Sequence, residues 1–276
     1  MKKKFLSFCI GILAWSSSAE KIKILTTFSP IYCFTKNVAG DWAEVINLLP
    51  DNVGPHEYMM RPQDAKKIAA THVIIFNGLG LEEFLEKAFQ INSKAKRIDA
   101  SVGIETINNN PHTWLDPLLA IEQVKNIAKG LEKIDPEHAT YYQKNAKKYI
   151  AQLKKLHENY VETLKPLNGK KMIAFHDAFP YLAHRYGIKR LGVFEEFPGK
   201  EPTPKYLAHI IDVIRKEKIS VLFSEPQYNP QLLKQIAVDT GVKTAELDTM
   251  ETGSHSVAFY EEVAKNNLKT LQETFR

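Results

Sequence analysis

The sequence is poor in cysteine and, past its first nineteen residues, has no long apolar run. Two cysteines, Cys9 and Cys33, give no disulfide framework and no C-x-x-C pair of a redox or zinc-ribbon kind. Cys33 falls in an amphipathic stretch, where a small buried apolar role suits it. No apolar run of roughly eighteen residues follows the N-terminal stretch, so no membrane-spanning helix is expected and the mature chain reads as soluble. No basic cluster interleaved with aromatics is present, which argues against nucleic acid as a partner. No local metalloprotease motif of the H-E-x-x-H kind occurs, and no close repeat relates the two halves.

What is present begins with an address. Three lysines at positions 2–4, an apolar run over 5–15 too short to span a bilayer, and Ser17-Ser18-Ala19 together read as a secretory signal peptide over residues 1–19. Cleavage after Ala19 is expected to release a periplasmic protein. Lipidation at Cys9 is the competing reading, but Phe8 fits poorly before the cysteine. The segment carries three lysines and no acid, so the formal net charge of +5 overstates the basicity of the mature chain.

The rest of the chain is organised around residues 135–164. Asp135-Pro136 can start a helix, and no further Pro or Gly occurs until Pro166. Tyr142, Ala146, Tyr149, Leu153, Leu156, Tyr160 and Leu164 recur at steps of three or four, the repeat of one helix face. Lys144, Lys147, Lys148, Lys154 and Lys155 fall mostly off that stripe, as a solvated face would. Strands are expected at 22–26, 45–49, 73–76 and 96–99 before this rod, and at 171–175, 188–193, 220–223 and 242–247 after it, alternating with helices. The fold class is therefore α/β, with two lobes, each a four-stranded mostly parallel sheet flanked by helices, joined by one long rigid helix. The expected domains are 20–134, a linking helix over 135–166, and 167–276.

Candidate chemistry lies at strand ends. His56, His176 and Asp248 each fall at or just past the C-terminal end of an expected strand, where ligands bind in open α/β sheets. His112 stands in the loop entering a helix. Facing lobes would bring all four into one cleft, and three imidazoles with one carboxylate suit a divalent ion, zinc readily and manganese by extension. Spacing alone does not decide this, because an isolated histidine is ordinarily a surface or hydrogen-bonded core residue. Glu57, Asp177 and Glu225 are auxiliary candidates, as an extra donor or as partners of a ligating imidazole. The remaining six histidines read as structural or solvated, and Trp42 and Trp114 as core.

The local context is more specific. Pro55-His56-Glu57-Tyr58 with Arg61-Pro62-Gln63-Asp64, then Asn110-Pro111-His112-Thr113-Trp114-Leu115-Asp116-Pro117, then Phe175-His176-Asp177-Ala178-Phe179-Pro180 resemble, in order, the three histidine motifs of the metal-binding proteins of zinc and manganese ABC transporters. Glu201-Pro202-Thr203-Pro204, Phe223-Ser224-Glu225-Pro226-Gln227-Tyr228 and Leu247-Asp248 resemble further signatures of that family, with Thr249 where an L-D-P would place proline. The resemblance spans the mature chain. It implies His56, His112, His176 and Asp248 as ligands of Zn(II), with Mn(II) admitted, in a monomeric periplasmic protein that delivers the ion to a membrane permease and catalyses nothing. The third histidine is typical of zinc-type members. Only residues 104–111 stand before His112, without the histidine-rich loop of many zinc-specific relatives. A manganese-specific member, a periplasmic zinc hydrolase and a metal-independent adhesin are the competing functions.

Overall fold

The computed structural model describes residues 21–195 and 202–276. The expected signal peptide and Glu201 lie outside the described residues. Among those described, the chain runs β1 (Ile22–Thr26), α1 (Ser29–Ala39), β2 (Ala43–Asn47), α2 (Pro62–Ala69), β3 (Val73–Phe76), α3 (Leu85–Ile91) and β4 (Lys96–Asp99). Two long helices follow, α4 (Pro117–Ile134) and α5 (Ala139–Leu164). The second half adds β5 (Lys171–Ala174), α6 (Pro180–Tyr186), β6 (Lys189–Val193), α7 (Pro204–Glu217), β7 (Val221–Ser224), α8 (Gln231–Thr240), β8 (Lys243–Glu246) and α9 (Phe259–Thr274).

The strands form two four-stranded sheets of the same order, β2-β1-β3-β4 and β6-β5-β7-β8, every pairing parallel. Parallel strands bring their C-terminal ends to one edge, and all the segments of interest leave from such an edge.

The buried stripe of α5 consists of Tyr142, Ala146, Tyr149, Leu153, Leu156, Tyr160 and Leu164, the seven residues the periodicity selects, and the five lysines are exposed. Each buried tyrosine of the stripe finds a polar partner: Tyr142 donates to Asp135 Oδ2, Tyr149 to Glu261 Oε2 and Tyr160 to the Ala264 carbonyl. Asp135 does not cap with its side chain; it receives His138 and Tyr142, and a short 3₁₀ turn over Pro136–His138 precedes α5. One large apolar cluster takes in the first sheet, α4, α5 and α9 and reaches β5 and β7, while a smaller one lies under α7 and α8. Trp114 is wholly buried, but Trp42 is half-exposed at 47%, resting against His138 and Tyr141 at the start of α5 rather than in the core. Cys33 is buried against Tyr149, and burial pushes its thiol up to about 12, the state of an inert structural cysteine.

Candidate metal centre

His112 is the most elaborately held of the site residues. Asn108 and Asn109 take left-handed φ of 51° and 56°, a conformation asparagine tolerates, and turn the chain into Asn110. The Asn110 side-chain oxygen accepts both the backbone N–H of His112, at 3.0 Å, and its Nδ1–H, at 2.9 Å. That fixes the tautomer and leaves the Nε2 lone pair facing inward. Asn77 donates to the Pro111 carbonyl, Trp114 Nε1 to the Thr249 carbonyl, and Asp116 caps α4 while pairing with Arg185. The N-P-H-T-W-L-D-P stretch is thus pinned on both sides of His112, and Thr113 is buried beside Ser101.

His176 follows β5 and is held by Glu225, which follows β7. The buried carboxylate of Glu225 lies 2.8 and 2.7 Å from His176 Nδ1 and also accepts the His176 backbone N–H at 3.1 Å. His56 arrives on the loop after β2, with its side chain 14% exposed.

The three histidines meet. His112 Nε2 lies 3.1 Å from His56 Nε2 and 3.2 Å from His176 Nε2. The fourth donor of the group is Glu251, whose Oε1 lies 3.0, 3.4 and 3.5 Å from the Nε2 atoms of His112, His56 and His176. All four donor atoms lie within 4.8 Å of one another. Bonds of about 2.0–2.1 Å to a tetrahedral zinc would set neighbouring donors roughly 3.3 Å apart, close to the 3.0–3.5 Å of the five pairs above.

Asp248, the sequence-based candidate for the fourth place, is not in this group. Its Oδ1 accepts the Met250 N–H at 2.7 Å, its backbone is clasped by Asn267, and it lines a separate cavity with Glu246 and Glu273. Burial raises this carboxyl to about 6. The side chain closes an Asx-type turn on its own backbone. Met250 then takes a left-handed φ of 62°, and the chain swings Glu251 into the cluster. Asp248 therefore shapes the turn that delivers the donor.

The loop carrying Glu251 belongs by sequence to the second half but is strapped to the first. Gly253 N–H donates to the Asp51 carbonyl, Ser29 donates to the Gly253 carbonyl, and Asn37 donates to that of Val257. His255, set aside as structural by the sequence reading, sits between Asn47 and Asp51 and ties the loop to the segment after β2. Gly253 is required here: its φ is 130°, and a Cβ would fall 2.4 Å from the Phe259 ring.

Electrostatics at the cluster follow from burial opposed by partners. Complete burial takes His112 down to about 4, against the pull of Glu251. Burial also disfavours charge on His176, but Glu225 and Glu251 outweigh it and hold that imidazole well above its ordinary value. Burial would raise Glu251, yet the three imidazoles hold it well below the usual carboxylate range. Of the auxiliary candidates, Glu225 partners a clustered imidazole, Asp177 pairs instead with Arg190, and Glu57 lies at the rim, accepting from Tyr228.

The sequence family description "zinc-uptake complex component A, periplasmic" (ZnuA) matches residues 24–274. The chain belongs to the ZnuA family. The high-affinity zinc uptake system protein ZnuA of Bacillus subtilis (strain 168) is 30% identical over 94% of this chain and 89% of its own length. The iron-binding protein YfeA of Yersinia pestis is 32% identical over 83% of this chain and 77% of its own. Among solved structures, the solute-binding protein FpvC of Pseudomonas aeruginosa in complex with Mn2+ superposes with a TM-score of 0.87 at 31% identity, covering 93% of this chain and 98% of that one. The ZnuA family thus accounts for the two parallel sheets and the long joining helix. It does not by itself fix the metal, since two of these relatives are named for zinc and for iron and the third was solved with Mn2+.

Proposed function

We propose that this chain is a periplasmic capture protein for a divalent ion, Zn(II) before Mn(II), which it delivers to the membrane permease of an ABC transporter. His56, His112, His176 and Glu251 are its ligands in this reading. The observation that carries it is the convergence of three imidazole nitrogens and one carboxylate oxygen at 3.0–3.5 Å around His112 Nε2 and Glu251 Oε1. Three nitrogens and a single oxygen suit zinc, whereas manganese favours more oxygen donors. The ion is cargo, and the protein is not an enzyme: a hydrolytic zinc keeps one position for water, and four protein donors close the shell.

The reading carries the rest of the sequence argument with it. Residues 1–19 are a signal peptide that is removed, 20–134 and 167–276 are the two lobes, and the protein acts as a monomer. No helix among the described residues is long and apolar enough to cross a membrane. Calorimetric titration of the metal-free protein with zinc and with manganese tests the proposal. One equivalent of zinc bound more tightly than manganese, with no turnover of ester or peptide substrates, is the expected result. Indifference to both ions would leave an adhesin or another metal-independent role.

A further inference from the structure

The segment Glu225-Pro226-Gln227-Tyr228, which follows β7, touches more of the cluster than its one recognised contact. Glu225 grips His176. Gln227 Nε2 stands 3.1 Å from Glu225 Oε2, 2.9 Å from Thr249 Oγ1 and 3.4 Å from Glu251 Oε2. Tyr228 stacks on Phe175, with ring centroids 4.5 Å apart and an interplanar angle of 22°, and lies edge-on to His176. Its hydroxyl crosses to the loop after β2 and donates to Glu57 Oε1 at 3.1 Å. Four consecutive residues thus connect the segments bearing His176, Glu251 and His56. The first of these links is buried and the second part-buried. The Tyr228–Glu57 bond joins the second sheet's side of the cleft to the first's, at an exposed position beside a donor.

We infer that Tyr228 is a positioning residue that latches the cleft over the ion, with Glu57 as its catch. The inference rests on the metal-capture reading. A bond at the rim holds the barrier between bound and free ion and leaves the four donors untouched, so breaking it changes the rates of exchange rather than the equilibrium. Glu57 then serves as a hydrogen-bond acceptor; its charge is incidental, and a neutral amide oxygen in its place still receives the tyrosine hydroxyl.

Transfer of zinc from the loaded protein to excess chromophoric chelator, followed by stopped flow beside equilibrium affinities, tests this with conservative variants. Tyr228→Phe keeps the stacked ring and loses only the hydroxyl. Glu57→Ala loses the acceptor, and Glu57→Gln retains one. Release by Y228F and E57A is expected to speed up about fivefold, the worth of one exposed hydrogen bond. Their affinities should stay within about twofold of the parent, because association speeds up to match, and E57Q should release at the parental rate. Parental release by Y228F, or E57Q as fast as E57A, overturns the latch while capture stands. An affinity loss equal to the release gain overturns it too, by making Tyr228 part of ligand placement. A parent that takes up no zinc overturns capture, and the latch falls with it.

Discussion

Glu251 brings an anionic oxygen to three imidazoles, and its contribution separates cleanly from that of Asp248 three positions earlier. Removing a partner of a ligating imidazole typically weakens a metal site by roughly 10–100-fold. Glu225→Gln, which disturbs the grip on His176, is expected to fall in that range by zinc competition titration, and Glu251→Ala beyond it. Asp248→Ala should hold affinity within a few-fold and instead lower the melting temperature, since it costs about 1 kcal/mol of turn hydrogen bonding. The opposite ranking would return the fourth place to Asp248. Sequence could not make this distinction. An aspartate after a strand is as good a turn-former as a ligand, and only the fold shows that this carboxylate accepts from its own backbone at Met250. The histidines were legible through the motifs around them, of which Asn110 bonds the His112 ring and Asp116 caps the helix that follows. Glu82 gives a pH signature outside the donor set. It is buried, accepts from Thr27, Asn77 and Gly78, and burial raises it from 4.5 to about 7. A carboxyl raised by folding favours the protonated native state, so its contribution is present below about 4.5 and is lost as pH rises to about 7. Chemical denaturation across that range should show this decline, and Glu82→Gln should flatten it while lowering stability throughout.

Helix α5 shows why elements were easier to read than the site. Its length and stripe follow from a 3.6-residue repeat that no other structure shares, so the seven buried positions could be named without coordinates. Short strands carry less information. The strand expected at 45–49 is β2 at Ala43–Asn47, because Leu48 and Leu49 continue to donate to the Thr26 and Thr27 carbonyls as the chain leaves the sheet. Helix α3 starts only at Leu85, because the Glu82 carboxylate closes the 77–82 turn before it. In α5, Leu153→Ala should cost about 2–5 kcal/mol by cavity formation, and Tyr160→Phe about 1 kcal/mol through its lost bond to Ala264. Both should leave zinc stoichiometry at the parental value, as denaturant titration beside metal titration would show. Loss of binding in a still-folded L153A protein would mean that the helix reaches the donors directly.

Over the whole molecule, one long helix and one apolar cluster that runs from the first sheet through α4, α5 and α9 to β5 and β7 oppose a wide hinge. Small-angle scattering of metal-free and zinc-loaded protein is expected to give the same radius of gyration within error; a clear expansion on metal removal would refute the rigid joint. The strap on the 251–257 loop bears on what a small movement accomplishes. That strap holds Glu251 to the first half, while Asn110, which holds His112, is bonded to Asp177 and Tyr181 of the second. In the proposed reading His56, the most exposed of the four donors at 14%, would part first and free a single coordination position while the three buried donors keep their grip. The cargo would then pass by associative exchange, an incoming donor from the acceptor filling the vacancy before the others let go. Free aqueous ion need never form during the handover.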